Sequence, residues 1–274
     1  MRKITFWKMS GSGNDFIVID NRKGVVKEEE MSNFSKLLCR RKVSVGADGV
    51  IFIRDSDKYD FSWRFFNSDG SEAEMCGNGS RCAARFAYLN KIAPKKMIFE
   101  TIAGHIMAEV LGRRVKVLLP EPKDLRMDLD IEKMMDWKSI DFINTGVPHV
   151  VVIVDELESI PVQEIGRKIR FHKKFSPEGT NVNFMKQINK NSIQIRTYER
   201  GVEDETLACG TGSVACALIS SIRYEMQSPI DVLTKGGEVL RIYFKREGKK
   251  FYDVWLEGDT NIVYKGELHD EAFL

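Results

Sequence analysis

The chain has 274 residues, enough for two domains of ordinary size that each bury a core. Its 42 basic and 40 acidic side chains are interspersed and leave a formal charge of +2, without the basic stripe of a nucleic-acid-binding protein. The sequence contains no apolar run long enough for a transmembrane helix, and five cysteines without framework spacing do not describe a disulfide scaffold.

Patterning predicts the elements in order. In the first half, strands are expected at residues 4–7 and 16–19 around a glycine turn, then a helix over 28–41 and strands at 50–53 and 61–66. A helix follows Cys76 to about Leu89, and strands follow at 97–101, 105–110 and 114–119. The Pro-rich stretch 119–123 reads as a linker. In the second half, strands are expected at Ile143 and at 150–154, a helix over 162–171, and strands at 182–186 and 193–198 joined by a turn at 189–191. A helix follows Cys209, and strands at 231–234, 238–244 and 251–256 close the half. The residues after Cys209 are small or apolar all round, as in a helix buried on every side, so each half reads as a sheet wrapped around a central helix. Cys82 and Cys216 lie within these helices as small core residues.

The two halves also share motifs. Cys76 begins Cys-Gly-Asn-Gly-Ser, and Cys209, 133 residues later (209 − 76), begins Cys-Gly-Thr-Gly-Ser. Gly13 and Gly146, and Gly46 and Gly179, stand at the same offset beside apolar runs. The three anchors in register point to one duplication of a domain-sized unit. Each box opens a helix, where free amides and the helix dipole favour an anion. A substrate carboxylate is expected there, and the same field is expected to lower the thiol pKa. Two thiols facing one carbon would supply the acid and the base for an inversion of stereochemistry. Either box alone is also what a buried structural cysteine at a strand-to-helix turn looks like.

These boxes, together with Gly-Ser-Gly-Asn-Asp-Phe (11–16), Phe-Asn-Ser-Asp-Gly-Ser (66–71), Gly-Thr-Asn-Val-Asn-Phe (179–184) and Glu-Arg-Gly-Val-Glu-Asp-Glu-Thr (199–206), resemble the diaminopimelate epimerase family over nearly the whole chain. The resemblance implies an α/β (α+β) fold of two pseudo-symmetric domains, each a curved, mainly antiparallel sheet around a central helix, with the active site in the cleft between them. The domains would be 1–120, joined by a C-terminal strand at 265–274, and 121–264. It implies a cofactor-independent isomerase that interconverts LL- and meso-diaminopimelate, a step in lysine and peptidoglycan precursor biosynthesis. Cys76 and Cys209 would be catalytic. Backbone at Gly77, Asn78, Gly210 and Thr211 would hold the reacting carboxylate, and Asn14, Asn67, Asn181, Glu199 and Arg200 would contact the remaining polar groups. His149 and Glu199 would tune the thiols. Arg200 suits a distal carboxylate because its fork binds two oxygens at once.

Some family members carry asparagine where this chain has Val147 and glutamine where it has Gly49, so no side-chain contact is assigned to either. Neither pyridoxal phosphate nor metal is expected to be required, and the expected partner is a small molecule rather than nucleic acid or membrane. A homodimer is left open. The chain begins without the apolar core of a signal peptide, so a cytoplasmic location is expected. One rival is a racemase or double-bond isomerase of the same architecture, although isomerases need not keep both cysteines. Another is a thiol-redox or zinc protein, but the cysteine spacings and the four dispersed histidines (His105, His149, His172, His269) do not suit it.

Overall fold

Alternating apolar residues and glycine turns produce strands along most of the chain in the computed structural model, which describes residues 3–274. Contacts divide it into two units, one taking the chain up to Val117 together with Gly258–Leu274, the other Leu118–Glu257.

In the first unit, β1 (Thr5–Gly11) and β2 (Asn14–Asp20) form an antiparallel pair. A 3-10 turn at Glu28–Glu30 leads into α1 (Met31–Leu38), and β3 (Gly49–Arg54) then returns parallel to β2. Next come β4 (Phe61–Asn67), antiparallel to β3, and the short β5 (Glu72–Ala73). After α2 (Gly77–Leu89), β6 (Lys96–Thr101) lies parallel to β4, and β7 (Gly104–Leu111) and β8 (Arg114–Leu118) complete a meander.

The second unit opens with β9 (Lys123–Arg126) on β10 (Ser139–Asn144), and β11 (Pro148–Ile153) follows antiparallel to β10. After α3 (Val162–Arg170), β12 (Asn181–Asn189) runs parallel to β11 and antiparallel to β13 (Ser192–Glu199), which carries β14 (Asp204–Thr206). After α4 (Gly210–Arg223), β15 (Ile230–Leu233) is parallel to β13, followed by antiparallel β16 (Val239–Glu247) and β17 (Lys250–Asp259). Finally β18 (Asn261–Glu267), which belongs to the first unit again, pairs antiparallel with β1.

The pairings of the two units correspond strand for strand, including both parallel joints, so the duplication read from three anchors extends to the topology. The anchors agree in backbone as well. Gly46 and Gly179 both adopt positive φ, at 73° and 67°. At Gly179 a Cβ would also lie 2.7 Å from the Arg170 carbonyl oxygen, so the position admits only glycine.

In each unit one sheet face packs on a buried helix. α2 lies against β1, β2, β3 and β7, and α4 lies against β10 to β13, β15 and β16. Every residue of α4 from Gly212 to Ser221 is buried. Phe61, Trp63 and Phe65 alternate along β4, where Trp63 meets Phe65 and Phe99 edge-on or tilted at 5.7 Å. A second core lies on the other face. Phe52 and Phe66 join Met31 and Leu38 of α1 there, and Val182, Phe184 and Tyr198 join Ile165 and Ile169 of α3.

Three expectations need correction. The helix expected over 28–41 is shorter, because Cys39 follows its last turn and the amides of Gly46 and Ala47 cover the Leu38 and Cys39 carbonyls. The C-terminal strand lies earlier than residues 265–274. After Glu267 the His269 ring caps a 3-10 turn, Asp270–Phe273, and Phe273 packs on Phe34 of α1 at 5.0 Å. The stretch expected as a linker is tied down, since the Leu119 amide bonds the Val254 carbonyl and β9 begins at Lys123.

Candidate active site

Cys76 is the N-cap of α2, with extended backbone (φ −144°, ψ 119°), and Cys209 caps α4 in the same way (φ −125°, ψ 112°). An N-cap in this conformation leaves the first amides of its helix without partners inside it. The glycines that follow keep the approach narrow but open. A Cβ on Gly77 would meet nothing within 4 Å, whereas one on Gly79 would touch Cys76, Ile51 and Trp63 at 3.4 Å.

In the first unit a backbone amide reaches the thiol, and three asparagines lie in the motifs nearby. The half-buried Cys76 sulfur accepts the Gly79 amide at 3.4 Å. Asn14, at the start of β2, and Asn78, in the first turn of α2, bond to each other at 2.8 Å. Asn67 ends β4, with its Nδ2 3.0 Å from Ser71 Oγ in the turn that follows.

The second unit surrounds its thiol differently. Cys209 is buried, with Thr211 Oγ1 3.7 Å from its sulfur. Thr211 Oγ1 is 2.9 Å from His149 Nε2, and the Thr211 carbonyl accepts Thr145 Oγ1 at 3.0 Å. Asn183 Nδ2 donates to the Val150 carbonyl at 2.9 Å and also faces His149 Nδ1 at 3.1 Å. The Asn183 oxygen accepts Thr197 Oγ1 at 2.9 Å. A carbonyl only accepts, so the Asn183 nitrogen must point this way and Nδ1 must be the acceptor. The proton of His149 therefore sits on Nε2 and is given to Thr211, whose own hydroxyl hydrogen is left for the sulfur. Burial, and then the charge of Arg200, push His149 down to about 3, so the ring is neutral at pH 7.

Asn181 Oδ1 accepts the Arg200 amide at 2.8 Å, fixing the chain where β13 ends, and Arg200 Nη1 lies 3.3 Å from the Glu178 carbonyl. Burial raises the Glu199 carboxyl above its ordinary range.

The expected lowering of the thiol pKa does not hold for Cys209. Burial first, and then the neighbouring Glu199 carboxylate, push it up to about 12, against the opposing pull of the Gly212 amide and of Thr211. The buried Cys209 is a neutral thiol at pH 7, suited to giving a proton. Cys216 is likewise buried and pushed up, as its reading as a core residue requires. Among the described residues, no cluster of histidine, cysteine or carboxylate side chains is arranged to hold a metal ion.

Sequence reasoning passed over Asp48, Arg81, Thr145, Asn183 and Thr197. Arg81 carried a signal, as a charged residue next to Cys82 and the alanines in the first turns of its helix. Thr145 and Asn183 carried a weaker one, lying within motifs otherwise used.

The family model described as diaminopimelate epimerase matches residues 6–122 and 142–263. A diaminopimelate epimerase of Aquifex aeolicus is 49% identical over 97% of this chain and 98% of its own length. One of Archaeoglobus fulgidus is 46% identical over 97% and 96%. Among solved structures, a PhzF-family phenazine biosynthesis protein of Bacillus anthracis superposes with a TM-score of 0.75 at 16% identity, covering 98% of this chain and 100% of that one. A probable proline racemase of Agrobacterium radiobacter superposes with a TM-score of 0.67 at 13% identity, covering 97% and 93%. At such identities the superpositions establish the two-domain, sheet-dominated fold and nothing about the substrate.

Proposed function

Because the chain belongs to the diaminopimelate epimerase family, we propose that it interconverts LL- and meso-diaminopimelate without a cofactor, using Cys76 and Cys209 as paired acid and base. The observation that carries this reading is that both cysteines cap helices in equivalent positions of a duplicated fold. In the proposed step, a thiolate on one face removes the α-proton. The electron pair moves into the adjacent carboxylate, and the amides opening α2 and α4 stabilise the charge that develops there. The thiol on the opposite face gives its proton to the same carbon and becomes the thiolate. Bonds and charges balance, and the enzyme is left ready for the reverse direction.

The buried, neutral Cys209 suits the proton-giving role for one direction, and the Thr211 hydroxyl, set by His149, is placed to stabilise the thiolate it becomes. Arg200 with Asn181 would take the distal carboxylate, Glu199 and Asn67 the ammonium groups, and Asn14 a carboxylate through its amide nitrogen. The cytoplasm and the supply of lysine and peptidoglycan precursors are the setting this reading implies.

The test is incubation with LL-diaminopimelate in heavy water followed by chiral analysis. Meso product carrying deuterium at the inverted carbon is expected, and Cys76→Ala and Cys209→Ala should each abolish it. Substantial epimerisation by either variant would sink the two-base reading. Racemisation of another amino acid in place of diaminopimelate would sink the substrate.

A further inference from the structure

One hydrogen-bonded chain in the first unit runs from a buried cation to an anion through two candidate substrate contacts. Arg81, fully buried in α2, donates from Nη2 to Asn78 Oδ1 at 2.9 Å. Asn78 Nδ2 donates to Asn14 Oδ1 at 2.8 Å, and Asn14 Nδ2 donates to Asp48 Oδ2 at 3.0 Å. Both ends are pinned. The same Arg81 nitrogen bonds Ser12 Oγ, and the Asp48 carboxylate is held by Arg41 at 2.9 Å and by the Asp15 amide at 3.1 Å.

The direction of this chain is not arbitrary. A guanidinium only donates and a carboxylate only accepts, so the two carboxamides between them can satisfy both ends in one orientation alone. Charged ends also make these bonds stronger than neutral ones and polarise the bonds between them. The arrangement arose in one half only. At the offset of 133 residues, Asp48, Asn14, Asn78 and Arg81 correspond to Asn181, Val147, Thr211 and Val214. Both charges and both carboxamides are replaced in the second half, where His149 orients Thr211 instead.

The geometry points to Arg81 and Asp48 as positioning residues that lock the carboxamides of Asn14 and Asn78 in a single orientation beside Cys76, so that each presents a remaining N–H to an amino-acid carboxylate. This rests on the proposed reaction for its substrate, but the chain itself is independent of it. The second hydrogen of each amide nitrogen is left over after the bonds above, and two such donors beside a helix N-terminus suit an anion.

The test compares Arg81→Met and Asp48→Ala with the conservative variants Arg81→Lys and Asp48→Asn. Either disruptive change should raise KM for diaminopimelate about tenfold, with a smaller change in kcat, because a binding orientation is lost. The conservative variants should recover part of that loss. The double variant Arg81→Met/Asp48→Ala should be within about twofold of the worse single one, because cutting one chain at both ends removes it only once.

A second readout needs no turnover. In protein labelled with 15N-asparagine, the Asn78 side-chain amide resonances should move on Asp48→Ala, although Asn78 is two hydrogen bonds away from Asp48. If Arg81→Met does not fold, Asp48→Ala and this resonance decide the matter. Multiplicative losses of KM in the double variant, or an Asn78 resonance unmoved by Asp48→Ala, would overturn the proposal. If the unaltered protein failed to act on diaminopimelate, the proposed reaction would fall and the resonance would still report on the chain.

Discussion

His149→Phe places at this position the residue that the first half already carries at its counterpart, Phe16. It removes an imidazole that burial and Arg200 hold down to about 3, against an ordinary 6.5. As pH falls, the unfolded chain takes up a proton on this ring near pH 6.5, while the folded ring stays neutral until pH approaches 3. Throughout that window the unfolded state binds more protons, so the ring's contribution to stability is full above the unfolded pKa and is lost as pH falls towards the folded one. Between pH 7 and pH 5 the loss is about 2 kcal/mol, since pH 5 lies well above the folded value and well below the unfolded one. Urea unfolding at the two pH values measures it. Carboxylates shared by both proteins cancel in the comparison, so the unaltered protein should lose about 2 kcal/mol more than the variant. Parallel losses in the two would mean that the ring is already charged at pH 5 or titrates alike in both states, and the neutral His149–Thr211 pair would be wrong.

Two further outcomes test the packing around the helices. Gly212→Ala puts a Cβ 2.3 Å from Asn183 Oδ1 and 3.2 Å from the Cys209 sulfur, so it should cost about 1–3 kcal/mol as overpacking. Adding Asn183→Ala should cost less than the two changes separately, and simple additivity in thermal unfolding would count against that contact. Arg223 donates from Nε to Asp141 at 3.0 Å, and the Asp141 side chain is wholly buried. Arg223→Met strands that carboxylate and should cost about 3 kcal/mol or more. A loss below about 0.5 kcal/mol in urea unfolding, the size of an exposed pair, would refute the buried-pair assignment.

The sequence by itself determined the repeat, the boxes and the helices that begin at Cys76 and Cys209. These are local matters: glycine placement sets where the backbone can turn, apolar periodicity sets which element forms, and a shared offset needs no coordinates to be seen. Tertiary structure alone decided the rest. The stop of α1 at Leu38 depends on Gly46 and Ala47 folding back over its end, and the C-terminal chain leaves its strand at Glu267 because Phe273 finds α1. The helix N-terminus gave reason to expect a lowered pKa at Cys209, but burial and then the Glu199 carboxylate outweigh it. Asn14, Asp48 and the Asn78–Arg81 turn of α2 lie far apart along the chain, and the fold brings them into one line of hydrogen bonds. Desolvation and side-chain orientation depend on everything packed around a group, so they follow from the assembled fold and not from neighbours in sequence.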